Sequence, residues 1–514
     1  MIENSERKPA NTPAQVPTWI WILSSARVIW IVLACLFVLV WGPRLFRSFW
    51  VDEAGTFWMV HKGLWTAVQK TWHWPGQSIL YSAIASLFCF DAGRYREFIL
   101  RIPTLIGIVV AGYFVYKLAE QAIGKRSGLV AILLFAFNPI VVQMGTEARP
   151  YGLALAAVAG SCWMLYRWVE TQERRYLIGY VVASTLIFYL HYLFAVLFGA
   201  HAAYLAVVFL VERRALRWRE LIVASAAIGA LVLPLLPHIR LLLREAHTLP
   251  FAQAPFTTDL ADWLLPSMVA LGLLVSVFLI QLLVPGYFNH KQPVFLQRSV
   301  LILLLTWWVI GPVLLFIVSK ASPMRMFVFR YLAYSVLAQV LLLTYGGYAL
   351  FGPRIASAWA LIAVLISTAS PITILSGLKT GPEALMPFMR VIQAESIDRS
   401  PPVFFRSELP ESEFYDWRGG LQENSYLYTP FVAYPMKNRL LPLPYRLTDE
   451  VKAHISGLVD SELVKEPKVL FVTRDDVWAP WMIERMRQAG FEASVHAPNT
   501  YTVIVFKRTA LHGM

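Results

Sequence analysis

The sequence predicts an all-α polytopic membrane protein that carries a small α/β domain at its C-terminal end, and three observations lead there. Hydrophobic residues fill 57% of the 514 positions and charged residues only 15%, with a mean hydropathy of +0.55, a balance that no water-soluble core needs. Apolar runs long enough for a helix to cross a hydrocarbon core of about 30 Å recur at about eleven places before residue 376. Past that point the chain becomes richer in proline and charge, and short β-type runs replace the long apolar ones.

Met1 to Pro17 is polar and is followed by about 23 mostly apolar residues without a small-residue cleavage signature, the pattern of an uncleaved signal anchor. Spans are expected near 18–41, 98–119, 127–143, 150–168, 176–190, 192–211, 220–242, 262–286, 299–319, 330–351 and 354–375. Gly76 to Phe90 is apolar but only about fifteen residues long, which suits a segment lying on the membrane better than one crossing it.

Positive charge supports that choice. With Gly76–Phe90 on the surface, one set of loops holds Lys125, Arg126, Arg167, Arg174, Arg175, Arg213, Arg214, Arg217, Arg219, Lys291, Arg298 and Arg354. The alternate set holds only Arg149, Arg244, Lys320, Arg325 and Arg330. The rich set belongs in the cytoplasm. Counting Gly76–Phe90 as a span would export it, and so would one long helix over Tyr176–Val211, which must therefore turn at His191-Tyr192. The expected map has a cytoplasmic tail over 1–17, a transmembrane domain over 18–375 and a C-terminal domain over 376–514 on the outer face. The first outer loop, 42–97, carries interfacial helices.

In the C-terminal part, strands are expected at Val403–Phe405, Val469–Val472 and Tyr501–Phe506, with a helix over Trp481–Gln488 that Gly490 ends. No nucleotide-binding glycine pattern accompanies them. The net charge of +13 and pI near 9.6 would suggest nucleic acid for a soluble domain. Here the cations lie between apolar spans, so they read as topology signals facing membrane lipids and lipid phosphate, with no nucleic acid partner. Cys35, Cys89 and Cys162 are far apart in apolar stretches and read as packing residues.

On this map the unusual polar residues of the membrane half gather on the outer side. Asp52 and Glu53 follow the first span, Glu147 and Arg149 lie before Pro150, His191 is in the next outer turn, and Lys320, Arg325, Arg330 and Tyr331 flank the last. Ionisable residues at a membrane edge are costly and read as functional. Trp50, Trp58, Trp65, Trp72 and Trp74 crowd the first outer loop, where interfacial anchoring is their ordinary task.

The arrangement resembles the GT-C glycosyltransferases, in particular the bacterial family-39-like relatives of the dolichyl-phosphate-mannose protein mannosyltransferases and the lipid A aminoarabinose transferases. The resemblance is carried by Phe49-Trp50-Val51-Asp52-Glu53, Glu97 to Pro103, Asn138-Pro139 ahead of Thr146 to Leu153, His191-Tyr192 and Arg330-Tyr331. It covers roughly residues 18 to 350. His73-Trp74-Pro75-Gly76-Gln77-Ser78 departs from the His-Pro-Pro-Leu-Tyr type of run more usual in relatives, which leaves His73 without a role.

The resemblance implies a GT-C-like fold in the plasma (inner) membrane. It also implies transfer, with inversion, of a sugar from a polyprenyl-phosphate carrier to a glycan, lipid or protein acceptor on the extracytoplasmic face. Asp52 matches the catalytic base, with Glu53 beside it. Glu147, Arg149, His191, Arg330 and Tyr331 are expected to contact substrate, with Lys320 and Arg325 assisting at the phosphate. No carboxylate-rich or His-rich spacing calls for a metal, and neither a metal nor a cofactor other than the donor lipid is expected. The competing class is a transporter or flippase of a lipid-linked sugar. Such carriers show repeated halves and polar residues near mid-span, whereas here no repeat is visible and the ionisable residues sit at span ends. The orientation has a direct test: alkaline phosphatase fused after Met514 is expected to be active and a fluorescent protein at the same point dark.

Overall fold

The computed structural model describes residues 25–74, 76–90, 93–245, 254–265, 296–322, 325–369, 384–408, 425–474 and 477–509, with isolated positions between 272 and 282. Among the described residues seven helices are long and apolar enough to cross a membrane: Ala26–Leu45, Arg96–Ala122, Tyr151–Thr171, Tyr192–Leu210, Trp218–Arg244, Arg298–Ala321 and Phe329–Pro353. An eighth span is broken: Ser127–Ala136 and Pro139–Gly145 meet at 65°. Pro139 cannot continue the ladder, and Asn138 restarts it by accepting from Ile140 N at 3.0 Å and Val141 N at 3.4 Å.

The expected turn at His191-Tyr192 is present. A helix over Arg174–Leu190 stops at His191, whose backbone is extended (φ −158°, ψ 100°), and a 3-10 turn over Tyr192–Val196 leads into Leu197–Leu210. Within Gly76–Phe90 the helix Ile79–Ser86 has eight residues, about 12 Å of rise and too short to cross. The expected spans 330–351 and 354–375 are two helices within Phe329–Ala369 that meet at a kink, where the backbone of Gly352 is not helical (φ +70°, ψ 170°). The tail 1–17, most of the expected span 262–286 and the end of the last span lie outside the described residues.

Described residues of the two loop sets lie at opposite ends of the bundle. The Tyr151–Thr171 helix has 21 residues, about 30 Å, and separates Arg149 at one end from Glu170 at the other. Around Glu170 collect Arg214 at 2.6 Å and Ser299 at 2.9 Å, while Arg174 and Arg217 pair with Glu220. Arg174, Arg214, Arg217 and the start of the Arg298–Ala321 helix thus share one end, and Arg149, His191 and Arg330 share the other.

That helix meets Arg96–Ala122 backbone to backbone. A Cβ on Gly152 would stand 2.2 Å from Thr104 O, and one on Gly107 would stand 2.3 Å from Gly152 C, so only glycine permits the contact. The closeness lets Thr104 Oγ1 donate to Arg149 O at 2.7 Å, while the Tyr81 hydroxyl lies 3.1 Å from Thr104 Oγ1. Packing at this crossing therefore holds the backbone at Arg149.

The C-terminal domain is a five-stranded sheet: β1 Val403–Arg406, β2 Leu440–Leu443, β3 Lys468–Thr473, β4 Phe491–His496 and β5 Thr502–Arg508, in spatial order β2-β1-β3-β5-β4. The β1–β2 and β1–β3 pairs are parallel; β5 pairs antiparallel with β3 and β4. Phe404, Val469, Phe471, Ile504 and Phe506 face the Asp449–Ser461 and Trp478–Gln488 helices, the second of which ends before Gly490 at φ +82°. The alternate residues Val403, Phe405, Leu470, Val472, Val503 and Val505 join the core of the membrane domain through Phe388, Met389 and Ile392 of the Met386–Glu395 helix. The expected strands and helix are found. β2 and β4 escape the sequence pattern, because Pro442 interrupts the first and Glu492, Ser494 and His496 make the second polar on an edge.

A methyl group at the helix crossing has nowhere to go. Gly152→Ala is expected to cost about 1–3 kcal/mol or more by overpacking, read as a lower thermal unfolding midpoint of the detergent-solubilised protein.

Candidate active site

The site begins where the Val51–Val60 helix starts. Trp50 is extended (φ −98°, ψ 176°) and Glu53 reaches back to accept from Trp50 N at 3.4 Å, closing the first turn. Asp52 and Glu53 are neighbours, but a helix turns about 100° per residue and sends them to different surroundings.

Glu53 points inward and is fully buried. Arg101 grips it two-handed, Nε to Oε1 and Nη2 to Oε2, each at 2.7 Å, and Ala148 N donates to Oε1 at 2.7 Å. The remaining guanidinium nitrogen of Arg101, itself fully buried, donates to the carbonyls of Arg44, Leu45 and Arg47 at 3.2, 2.7 and 2.7 Å. Glu53 is expected from the sequence to stand among the reacting groups. The geometry instead spends both its oxygens on a buried ion pair that joins the first span, the Asp52 helix, the second span and the turn before Pro150.

Asp52 instead keeps its side chain 22% exposed. Its Oδ2 lies 3.0 Å from Arg330 Nη1 and 3.9 Å from Arg149 Nη2. Arg149 also donates to Gln77 Oε1 at 2.9 Å and to Asp52 O at 3.4 Å. The Arg330 guanidinium lies over the Trp50 ring at 5.2 Å. Three segments far apart in the chain therefore bring one carboxylate and two guanidiniums together.

Beside them an aromatic wall forms from His191, 5.3 Å from Tyr151 and 5.6 Å from Tyr331 between ring centroids. Burial, then the charges of Arg149 and Arg330, push the His191 pKa down to about 3. The imidazole is neutral, and its Nδ1 has no hydrogen-bond partner among protein atoms. Glu147 is 2% exposed. Gln143 Nε2 approaches its Oε1 at 3.4 Å, and Oε2 has no protein partner. Burial foremost, then the nearby charge of Glu53, raises its pKa to about 7.

Asp52, Glu147, Arg149, His191, Arg330 and Tyr331 are thus brought together, whereas Lys320 and Arg325 bind elsewhere. Arg325 donates to the carbonyls of Ser319 and Ser322 and closes the end of the Arg298–Ala321 helix. Lys320 is exposed, about equally near Phe256 (5.8 Å) and Phe316 (5.9 Å). The sequence reading missed Arg101, Gln77 and Tyr151. Arg101 carried a signal, a lone arginine at the edge of an apolar span; Gln77 carried none. Among the described residues no three His, Cys, Asp or Glu side chains converge as a metal-binding group.

Glu147 makes stability depend on pH. Its folded pKa is near 7 against an ordinary 4.5, so the folded state holds the proton more tightly. The resulting stability is full below about 4.5 and is lost as pH rises toward about 7. Glu147→Gln should remove that part of the decline, seen by comparing thermal unfolding midpoints of variant and parent at pH near 5 and near 8.

Comparison with known proteins places this geometry in context. The family model described as dolichyl-phosphate-mannose-protein mannosyltransferase matches residues 75–238, a segment that includes Gln77, Arg101, Glu147, Arg149 and His191. The structure of ArnT from Cupriavidus metallidurans bound to undecaprenyl phosphate superposes with a TM-score of 0.52 at 10% sequence identity, over 95% of this chain and 100% of that one. ArnT from the same organism in the apo state gives a TM-score of 0.47 at 13% identity, with the same coverage. No curated protein matches the chain. The family match within the membrane domain and the architecture shared with the lipid-bound ArnT along nearly the whole chain identify this polytopic membrane protein as one with the GT-C glycosyltransferase fold.

Proposed function

We propose that the chain transfers a sugar, with inversion, from a polyprenyl-phosphate carrier to a hydroxyl-bearing acceptor on the extracytoplasmic face. The observation that carries this reading is the Asp52 carboxylate held 3.0 Å from Arg330 and 3.9 Å from Arg149 at the cation-poor end of the bundle. The fold shared with a protein crystallised with undecaprenyl phosphate supports the carrier class.

The chemistry follows from charge. A carrier phosphate entering the site competes with Asp52 for both guanidiniums, since phosphate and carboxylate offer them the same two-oxygen geometry. As Arg330 and Arg149 turn to the phosphate, the Asp52 carboxylate is released to accept the proton of the acceptor hydroxyl. The acceptor oxygen then attacks the anomeric carbon while the bond from that carbon to the phosphate oxygen breaks. The carrier leaves as the polyprenyl phosphate with the bonding electrons, and the two guanidiniums stabilise its added charge. Base catalysis at Asp52 is worth about 10²–10⁴ in rate.

Glu53 and Arg101 position this apparatus from behind. Neutral His191, Tyr151 and Tyr331 offer faces to the sugar, and Glu147, protonated for part of the time near neutral pH, has a free oxygen for a sugar hydroxyl.

With purified protein in nanodiscs and a radiolabelled polyprenyl-phosphate sugar, Asp52→Asn should lower turnover by at least about 10² while still binding the carrier. Full turnover in that variant rejects Asp52 as the base. Mass spectrometry of lipids, surface glycans and glycoproteins from a deletion strain should reveal the missing product and hence the sugar and acceptor.

A further inference from the structure

We propose that the C-terminal domain is a working part of the site, holding the Asp52 helix in place through two tyrosines, Tyr434 at the helix entrance and Tyr426 one turn in. This rests on the glycosyltransferase reading above.

The contacts fall on Ser48 and Phe49, two of the residues that lead into the helix. The Tyr434 hydroxyl accepts from Phe49 N at 2.8 Å and donates to Glu97 Oε1 at 2.9 Å. Leu385 N donates to Phe49 O at 2.9 Å, and Met386 N donates to Ser48 Oγ at 3.3 Å. Both backbone polar groups of Phe49, three residues before Asp52, are therefore satisfied by residues beyond 376. Arg96 lies over the rings of Phe57 and Tyr434 at 4.9 and 5.2 Å and pairs with Glu97 at 3.6 Å, closing a half-buried cluster.

Tyr426 acts on the next turn. Its ring lies 4.2 Å from that of Trp74 and meets Trp58 edge-on at 5.4 Å. Its hydroxyl would stand 2.6 Å from a Cβ on Gly55, so the absent side chain of Gly55 is what admits the phenol. Between the two tyrosines the short helix Thr429–Ala433 packs on Val51–Val60. A docking face that merely covered the membrane domain would need apolar contact alone. Here the domain also fixes the backbone that sets the rotation of the helix, and with it the direction of Asp52 toward Arg330 and Arg149. Tyr434 and Tyr426 are positioning residues, since they act through Asp52.

The test uses the full chain in nanodiscs. Tyr434→Phe keeps the ring and removes both hydrogen bonds. It should lower kcat by about 10- to 100-fold, the range for a misplaced reacting group, and leave KM for the carrier lipid within about twofold. Amide exchange over residues 48–56 should rise while β3 and β5 stay protected. Glu97→Gln, which still accepts from the phenol, should keep kcat near the parent value. Unchanged exchange over 48–56, or a loss confined to KM, overturns the proposal.

If Tyr434→Phe also loses protection in β3 and β5, a second pair decides. Gly55→Ala should lower kcat, and adding Tyr426→Phe, which removes the clashing hydroxyl, should restore most of it; failure to restore overturns the proposal. A parent protein without transfer activity would reject the glycosyltransferase reading, whereas the exchange measurement still decides the clamp.

Discussion

The ion pair between Glu53 and Arg101 is the interaction on which the site depends. Two fully buried charged groups meet through two 2.7 Å bonds, and their remaining capacity is spent on backbone: Ala148 N on one side, three carbonyls at residues 44, 45 and 47 on the other. Such a pair gains little over an apolar substitute, because desolvation cancels much of the attraction. Its effect is specificity of arrangement. Leaving either partner alone would strand a buried charge at a cost of about 3–5 kcal/mol, so the four segments that it touches can meet in one way only. The terminal carbonyls of the first span, which have no partners within their own helix, receive them from the second span.

Asp52 inherits its position from that junction. Arg149 is displayed by a turn whose Ala148 amide is tied to Glu53 and whose Arg149 carbonyl is tied to Thr104. Thr104 in turn lies at the glycine crossing of the second and fourth spans. Arg330 enters from the far end of the chain. The cluster of Asp52, Arg149 and Arg330 is thus less a motif than a meeting point, and the supports behind Asp52 and Arg149, at Glu53 and at Thr104, are built from buried hydrogen bonds.

Much of the architecture was legible because membrane proteins write it in coarse signals. Span length, the distribution of arginines and the short Gly76–Phe90 segment were enough to put Asp52, Arg149, His191 and Arg330 at one end, where the structure has them. Two signals failed for physical reasons. Asp52 and Glu53 are chemically alike in sequence, and only helical rotation and burial separate an exposed carboxylate from an engaged one. Arg325 looked like a phosphate ligand, but carbonyls at the end of its neighbouring helix claim it. Pro442 and the polar edge of β4 hid two strands, and nothing in the composition around Gln77 announced a contact with Arg149.

The order of strands in the C-terminal sheet also bears on how firmly its two tyrosines are held. β5 lies inside the sheet between β3 and β4, and β1 between β2 and β3. The buried side chains that join the core of the membrane bundle come from β1, β3 and β5, the three interior strands, each hydrogen-bonded to a neighbour on both sides. The two edge strands can therefore fray while the platform from which Tyr434 and Tyr426 reach the loop after the first span stays closed.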